Sequence, residues 1–448
     1  MALFGHKHGV EPFAIEHASI ATGDANGRSL EDMTIVVGEN GTINEVAPSS
    51  QIGIPQDYHR IDATGKVVAP GLINAHVHLF SDGKPLDPKQ TTPQSQARLG
   101  KLLHSPAGKS VLKLRVKANV DTLLKSGVTT IRSVGDVGYE VTQLRDSINS
   151  GKAVGPRIFA SGPLLAIPGG HGAPLIALES ETVEDAQNNA ERNIDHGVNA
   201  LKIAATGGVT DSQQPGEAGS PQMSVEQMRV ICEVAHASNI IVAAHAQSPE
   251  GVKNALLAGV DTIEHGSALD DELIGLFKDN PNALHGYSSL IPTMSAGMPL
   301  TFFPQDVTGI TDIQFDNAKS VVEGMLAGAR DARLNGIRVG VGTDTAMTFV
   351  TQYNTWRELY LLTHYAGFSS AEAFHAATQV NAEILGISEE TGSIEAGKSA
   401  DLIVLDEDPT RNLKTLSNPR LVVVAGHPVW RPSVERIEDI DTLLDERL

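Results

Sequence analysis

Eight strand-like runs recur through the middle of this 448-residue chain, most of them separated by helical patterns, and that alternation restricts the folds open to it. The runs are 71–79, 127–135, 156–164, 200–206, 240–246, 261–266, 290–296 and 337–344. Between them, SVLKLRVKANVDTLLKSG (110–127), VEDAQNNAERNIDHG (183–197) and SPEGVKNALLAG (248–259) carry helical periodicity. Strands that alternate with helices pair in parallel, and eight of them predict a closed (β/α)8 barrel of the TIM type. A doubly wound open sheet is the competing arrangement, but no G-x-G-x-x-G follows the first run where a dinucleotide would sit.

Both ends of the chain read differently. Residues 13–21, 33–48 and 59–70 are β-rich, with Asn40-Gly41 as a hairpin signal, and 398–409 and 419–430 have the same character. The expected organisation is an α/β chain with a small β-sandwich built from both termini, residues 1–68 and 390–448, around a barrel over 69–389.

Composition narrows the partners. Thirty-four basic and 54 acidic residues leave a formal charge of −20, which argues against nucleic-acid backbones and anionic membrane surfaces. No run is apolar enough to span a bilayer, and the start shows no secretion signal. The single cysteine, Cys232, lies in an amphipathic helical pattern and reads as a core thiol. A cytoplasmic protein with a small-molecule or dipeptide substrate, and room for homo-oligomers, is the expectation.

Catalytic groups of a barrel collect at the C-terminal ends of its strands. His76 and His78, two apart in GLINAHVHLF, share one face of the first run; Lys202 lies in the fourth, His245 ends the fifth, His265 the sixth and Asp344 the eighth. Singly, each has a structural explanation: a satisfied core histidine, a snorkelling lysine, a helix N-cap. Together they read as a metal centre. Neutral imidazoles and carboxylates are ligands that suit zinc. An ammonium offers no lone pair, so Lys202 fits only as a carbamate formed with carbon dioxide. The remaining histidines, among them His6 and His8 in HKH, match no such position and read as surface or packing residues.

The H-x-H pair, the strand-four lysine, AAHAQ, IEHGS and GTDT resemble the amidohydrolase superfamily. PGLINAHVHL, GVTTIRSVG, VDTIEHGSALDDE and GSIEAGKSADLIVLDEDP resemble its branch of imidazolonepropionase-like enzymes and metal-dependent Xaa-Pro dipeptidases, or prolidases. The resemblance implies two divalent ions, zinc being the expected metal: one held by His76, His78, Asp344 and N6-carboxylated Lys202, the other by the same carbamate, His245 and His265. It implies a bridging hydroxide as nucleophile and Asp344 as the proton carrier. It places His171, in the loop IPGGHGAP, near the substrate's carbonyl or carboxylate. The implied activity is amide hydrolysis, as an exopeptidase or dipeptidase on dipeptides or N-acyl amino acids; a lactam hydrolase is the alternative, and a non-catalytic scaffold the remote one. Many relatives carry a histidine between the strand-eight aspartate and an N-x-x-E-L element; here Thr351, Gln352 and Tyr353 precede Asn354 and Glu358. Arg132, near the end of the second run, is a cation that either faces the site or is paired elsewhere.

Overall fold

The computed structural model describes residues 9–85 and 93–447. His6 and His8 lie outside them. The terminal segments meet in one mixed eight-stranded sheet, ordered His427–Trp430, Leu421–Val424, Leu402–Leu405, Val67–Pro70, Phe13–Ala21, Ser29–Val37 and Ile43–Pro48, with His59–Asp62 also paired to Phe13–Ala21. The two ends of the chain join where Val67–Pro70 runs antiparallel to Leu402–Leu405. Gly41, at φ +76°, turns the hairpin that Asn40-Gly41 announced. Apolar side chains from both ends, including Phe13, Ile35, Val68, Leu402 and Val423, form one core against this sheet.

The strands of the middle are parallel and fall into two ladders. Leu72–Val77, Val128–Ser133 and Arg157–Ala160 make the first. Ala177–Glu179, Leu164–Ala166, Ala200–Ala204, Ile241–Ala246, Thr262–His265 and Ser289–Ile291 make the second. Most of these strands are buried at every position, as expected of parallel strands covered on both faces, and this is why they read as unbroken apolar runs. The helices between them start where hydroxyl caps satisfy the free backbone N–H groups. Thr182, Ser224 and Thr311 each open a helix with a reciprocal capping box.

The eighth run departs from expectation. Residues 337–344 form no ladder; Val339 makes a single bridge to Leu290, and the Ala75 N–H donates to the Val341 carbonyl at 2.9 Å. Glycines explain the irregularity. A Cβ on Gly342 would lie 2.4 Å from the Cβ of His76, and one on Gly340 would lie 2.3 Å from the Asn381 side chain. The segment thus approaches its neighbours more closely than a side-chain-bearing strand can. Between the two ladders, the Asn199 N–H donates to the Ala160 carbonyl at 3.0 Å. The seventh run is also shorter than read: its strand ends at Ile291, and a helix, Met294–Phe302, begins three residues later. Cys232 is buried in the core, as read. Among the described residues, no helix is long and apolar enough to cross a membrane.

Candidate metal centre

The strand Leu72–Val77 and the residue just beyond it deliver His76 and His78 into the interior, at 1 % and 6 % exposure. Asp344 meets them there: its Oδ1 lies 3.2 Å from His76 Nε2 and 3.0 Å from His78 Nε2. One ligand atom from each of His76, His265 and Asp344 can be chosen so that all lie within 4.8 Å of one another. The His245 ring sits 4.6 Å from that of His265, centroid to centroid. Lys202, on the neighbouring strand, is buried and its Nζ has no hydrogen-bond partner. Asp344 and His265 hold left-handed backbone angles, φ +58° and +71°, which are strained for residues with a Cβ and typical of functional sites.

The ring nitrogens show what the cluster suits. His76 Nδ1 lies 2.6 Å from the Glu264 carboxylate, His78 Nδ1 2.9 Å from the Gly135 carbonyl, and His245 Nε2 3.0 Å from the Gly207 carbonyl. The Thr293 hydroxyl donates to the Pro292 carbonyl, so at 2.6 Å it accepts from His265 Nδ1. In every case one ring nitrogen must be the N–H donor. Each neutral ring then keeps one lone pair, on Nε2 of His76, His78 and His265 and on Nδ1 of His245. For His76 and His78 that lone pair faces the lone pairs of Asp344, a repulsive contact that a cation between them removes. The donor set fits divalent metal ions.

Electrostatics point the same way. Burial holds the His245 and His265 imidazoles well below their ordinary pKa, reinforced by each one's cationic or imidazole neighbours, so both rings are neutral. Burial alone would raise the pKa of Asp344, but positive charge and N–H donation from His76 and His78 outweigh it and hold the carboxyl well below its ordinary range. With both rings neutral and their lone pairs turned toward it, a metal cation would supply that charge instead. Lys202 is pushed down to about 8, chiefly by burial. Roughly one amine in ten is then uncharged at neutral pH, far more than for an ordinary lysine, and the neutral form is the one that reacts with carbon dioxide.

Glu264 is a residue that motif reading passed over. Fully buried, it takes His76 on Oε2 and Arg132 on Oε1 at 2.7 Å, and it also accepts from Thr262. Burial raises its pKa, yet Arg132 and His76 reverse the shift and leave it low. A carboxylate behind a ligand histidine fixes the tautomer and the ring orientation. The signal was present in sequence, since a glutamate within the buried strand TIEH needs a partner. Arg132 is that partner. It also donates to the Ala75 carbonyl and the Thr262 hydroxyl, so it does not face the site as a free cation. Glu264→Gln is expected to weaken metal binding by roughly 10- to 100-fold and to lower the melting temperature, because it leaves Arg132 buried without its counter-charge. Metal titration and thermal melts of the apo- and metal-loaded variant measure the two effects separately.

A second support stands behind His265. Thr293, at φ +51°, is the N-cap of the helix Met294–Phe302 but does not cap it with its hydroxyl. The buried Glu358 carboxylate does so instead, accepting the N–H groups of Met294 and Ser295 and the Ser295 hydroxyl. Thr293 is thereby free to hold His265. Burial pushes the Glu358 carboxyl up to about 7.

His171 lies beside the cluster. Its ring stacks on His245 at 3.9 Å between centroids, and its Nδ1 lies 2.5 Å from Asp211. The His171 N–H donates to Gln222, and a Cβ on Gly208 would fall 2.4 Å from the ring. The loops 167–176 and 205–222 thus interlock over the cluster. The other described histidines that matched no motif lie elsewhere; His17 pairs with Asp32 and His236 with Asp261. In the segment lacking the extra histidine, Gln352 donates to the His78 and Ser81 carbonyls, and Tyr353 accepts from the Ile437 N–H.

Comparison with known proteins supplies the family context. The profile of the amidohydrolase family matches residues 67–429. A solved structure from Bifidobacterium longum, provisionally described as a prolidase, is 60 % identical with a TM-score of 0.87, over 98 % of this chain and 99 % of that one. An Xaa-Pro dipeptidase solved with methionine bound in its active site is 27 % identical with a TM-score of 0.78, over 94 % of this chain and 100 % of that one. The ochratoxinase of Aspergillus niger is 26 % identical over 413 residues, 86 % of this chain and 78 % of that one.

Proposed function

The chain belongs to the amidohydrolase family, and we propose that it is a binuclear metal-dependent hydrolase that cleaves the C-terminal residue from dipeptides or N-acyl amino acids. The observation that carries the metal dependence is the set of four imidazoles, each with one N–H committed outward and one lone pair left for the centre. His76, His78 and Asp344 would hold one ion and His245 and His265 the other, with carboxylated Lys202 shared; zinc suits these ligands. Bound there, such ions lower the pKa of water and polarise an amide carbonyl. Asp344 Oδ1 faces the two histidines, which leaves Oδ2 to take up a proton and pass it to the departing amine. Asp211 holds Nδ1 of His171, so Nε2 is the atom presented to the substrate's carbonyl or carboxylate. The two ladders are read as one closed barrel over 69–389, and the terminal sheet as a sandwich formed by 1–68 and 390–448. A cytoplasmic setting accords with the lone buried cysteine.

His171→Ala is expected to retain metal while losing roughly 10- to 100-fold in kcat, the span for removing a positioned polar contact to the reacting group. Metal analysis beside steady-state kinetics checks it, and loss of metal would make His171 a ligand instead. The exopeptidase reading draws its support from the prolidase and dipeptidase neighbours. One observation favours the lactam reading. Arg132, a cation that would have faced the site under one of its two readings, is committed to Glu264 instead. The deciding experiment compares kcat/KM for a dipeptide, its C-terminal amide and a lactam. An exopeptidase favours the free acid by roughly tenfold or more, the worth of one charge-assisted hydrogen bond. Equal rates for acid and amide, or preference for the lactam, would replace it with the alternative.

A further inference from the structure

Against a chain charge of −20, residues 93–125 carry seven basic residues and one acidic one, a local charge of +6 that leaves −26 elsewhere. These residues form the helices Pro93–Leu103 and Pro106–Lys125. Their inner face belongs to the fold: Leu112, Val116, Val120 and Leu123 enter the core, and Asn119 donates to the Leu79 and Ser81 carbonyls just beyond His78. Their outer face is apolar as well as basic. Leu102, Val111 and Leu114 are 60 %, 64 % and 71 % exposed, with Lys101, Lys109, Lys113 and Lys117 around them. None of these four lysines forms an ion pair among the described residues, whereas most of the molecule's charge is acidic.

We propose that this hairpin is the surface through which the chain associates with a second copy of itself, docking on the acidic segment 179–195 of that copy. Charge rules out the hairpin packing on its own counterpart, since +6 would face +6. The segment 179–195 offers what the hairpin lacks. Glu179, Glu181, Glu184, Glu191 and Asp195 are exposed and free of ion pairs among the described residues, with one basic residue, Arg192, between them. Val183 stands among them 43 % exposed, an apolar contact for the hairpin's leucines. Two copies related by a two-fold axis would make this contact twice, hairpin to acidic helix in each direction, and so close into a dimer. The apolar centre excludes water, and the surrounding lysines and glutamates set the register.

Sedimentation velocity of the full-length protein at about 50 mM and about 500 mM salt tests this, the two concentrations bracketing strong and weak screening of surface charge. The expected result is a dimer or larger species at low salt that dissociates as salt rises. Lys113→Glu with Lys117→Glu should raise the dissociation constant by roughly tenfold or more, and Glu181→Lys with Glu184→Lys should do the same. All four changes together should restore association, while Leu114→Ser should weaken it at either salt concentration. A wild-type protein that stays monomeric throughout, or an assembly indifferent to both pairs of substitutions, would overturn the proposal. Failure of the four-fold variant to reassociate would overturn the acidic segment as the docking site. A monomer that instead co-sediments with phosphatidylglycerol vesicles would assign the hairpin to a lipid surface and overturn self-association.

Discussion

Lys202→Ala is expected to lower kcat by at least roughly 10³-fold, because Lewis-acid stabilisation of the reacting carbonyl is worth several kcal/mol. The lysine sits on a strand buried at every position, and its Nζ finds no hydrogen-bond acceptor. A buried ammonium without an acceptor is costly, and burial answers part of that cost by bringing its pKa down to about 8. The neutral amine can add to carbon dioxide, forming an N–C bond and releasing one proton to give an anionic carbamate. Glu264 and Asp344 lie close enough to bias the Lys202 charge, so the carbamate would stand among carboxylates and be stable only with cations present. The alanine variant should therefore lose metal as well as turnover. A short carboxylic acid small enough to enter the vacated volume should restore part of both. Full activity in the variant would remove Lys202 from the centre.

Asp344→Asn is the second large effect. The carboxylate lies within 3.2 Å of two imidazole nitrogens and keeps its charge despite burial. An amide of the same shape offers a weaker ligand oxygen on one side and an NH2 that cannot accept a proton on the other. A general acid–base is worth roughly 10²- to 10⁴-fold, and the ligand loss adds to it, so kcat should fall by roughly 10⁴-fold. KM should move far less, since the group acts on the transition state rather than on substrate binding. Pre-steady-state or single-turnover measurement at saturating metal separates the proton role from the ligand role. A variant that regains near wild-type turnover once metal is added in excess would leave Asp344 as a ligand only.

Much of the site was legible because its residues break a pattern. His76, His78, Lys202, His245 and His265 are polar side chains within runs that are otherwise apolar, and such a residue needs a partner or a ligand. Parallel strands covered on both faces read as continuous apolar stretches, which made the alternation visible. What stayed hidden depends on distant pairing. Arg132 and Glu264 are 132 positions apart, and nothing local says that one neutralises the other. Thr293 and Glu358 are a similar case, because the cap of the helix Met294–Phe302 comes from a different helix altogether. The eighth run was read as an ordinary strand because its apolar residues, Ile337, Val339 and Val341, alternate correctly. Its glycines bring it too close to His76 and Asn381 for a regular ladder, a tertiary constraint that periodicity does not carry.

The central claim is that amide hydrolysis in this chain depends on metal held by the buried histidine cluster. Its most direct test is to strip the purified protein with a chelator, add back zinc in steps, and measure bound metal and turnover of an amide substrate on the same samples. The proposed pair of ligand sets, joined by a carboxylated Lys202, predicts saturation close to two ions per chain, with turnover absent in the stripped protein and rising with the bound metal. Stripped protein that remains fully active, with metal well below one ion per chain, would contradict the account.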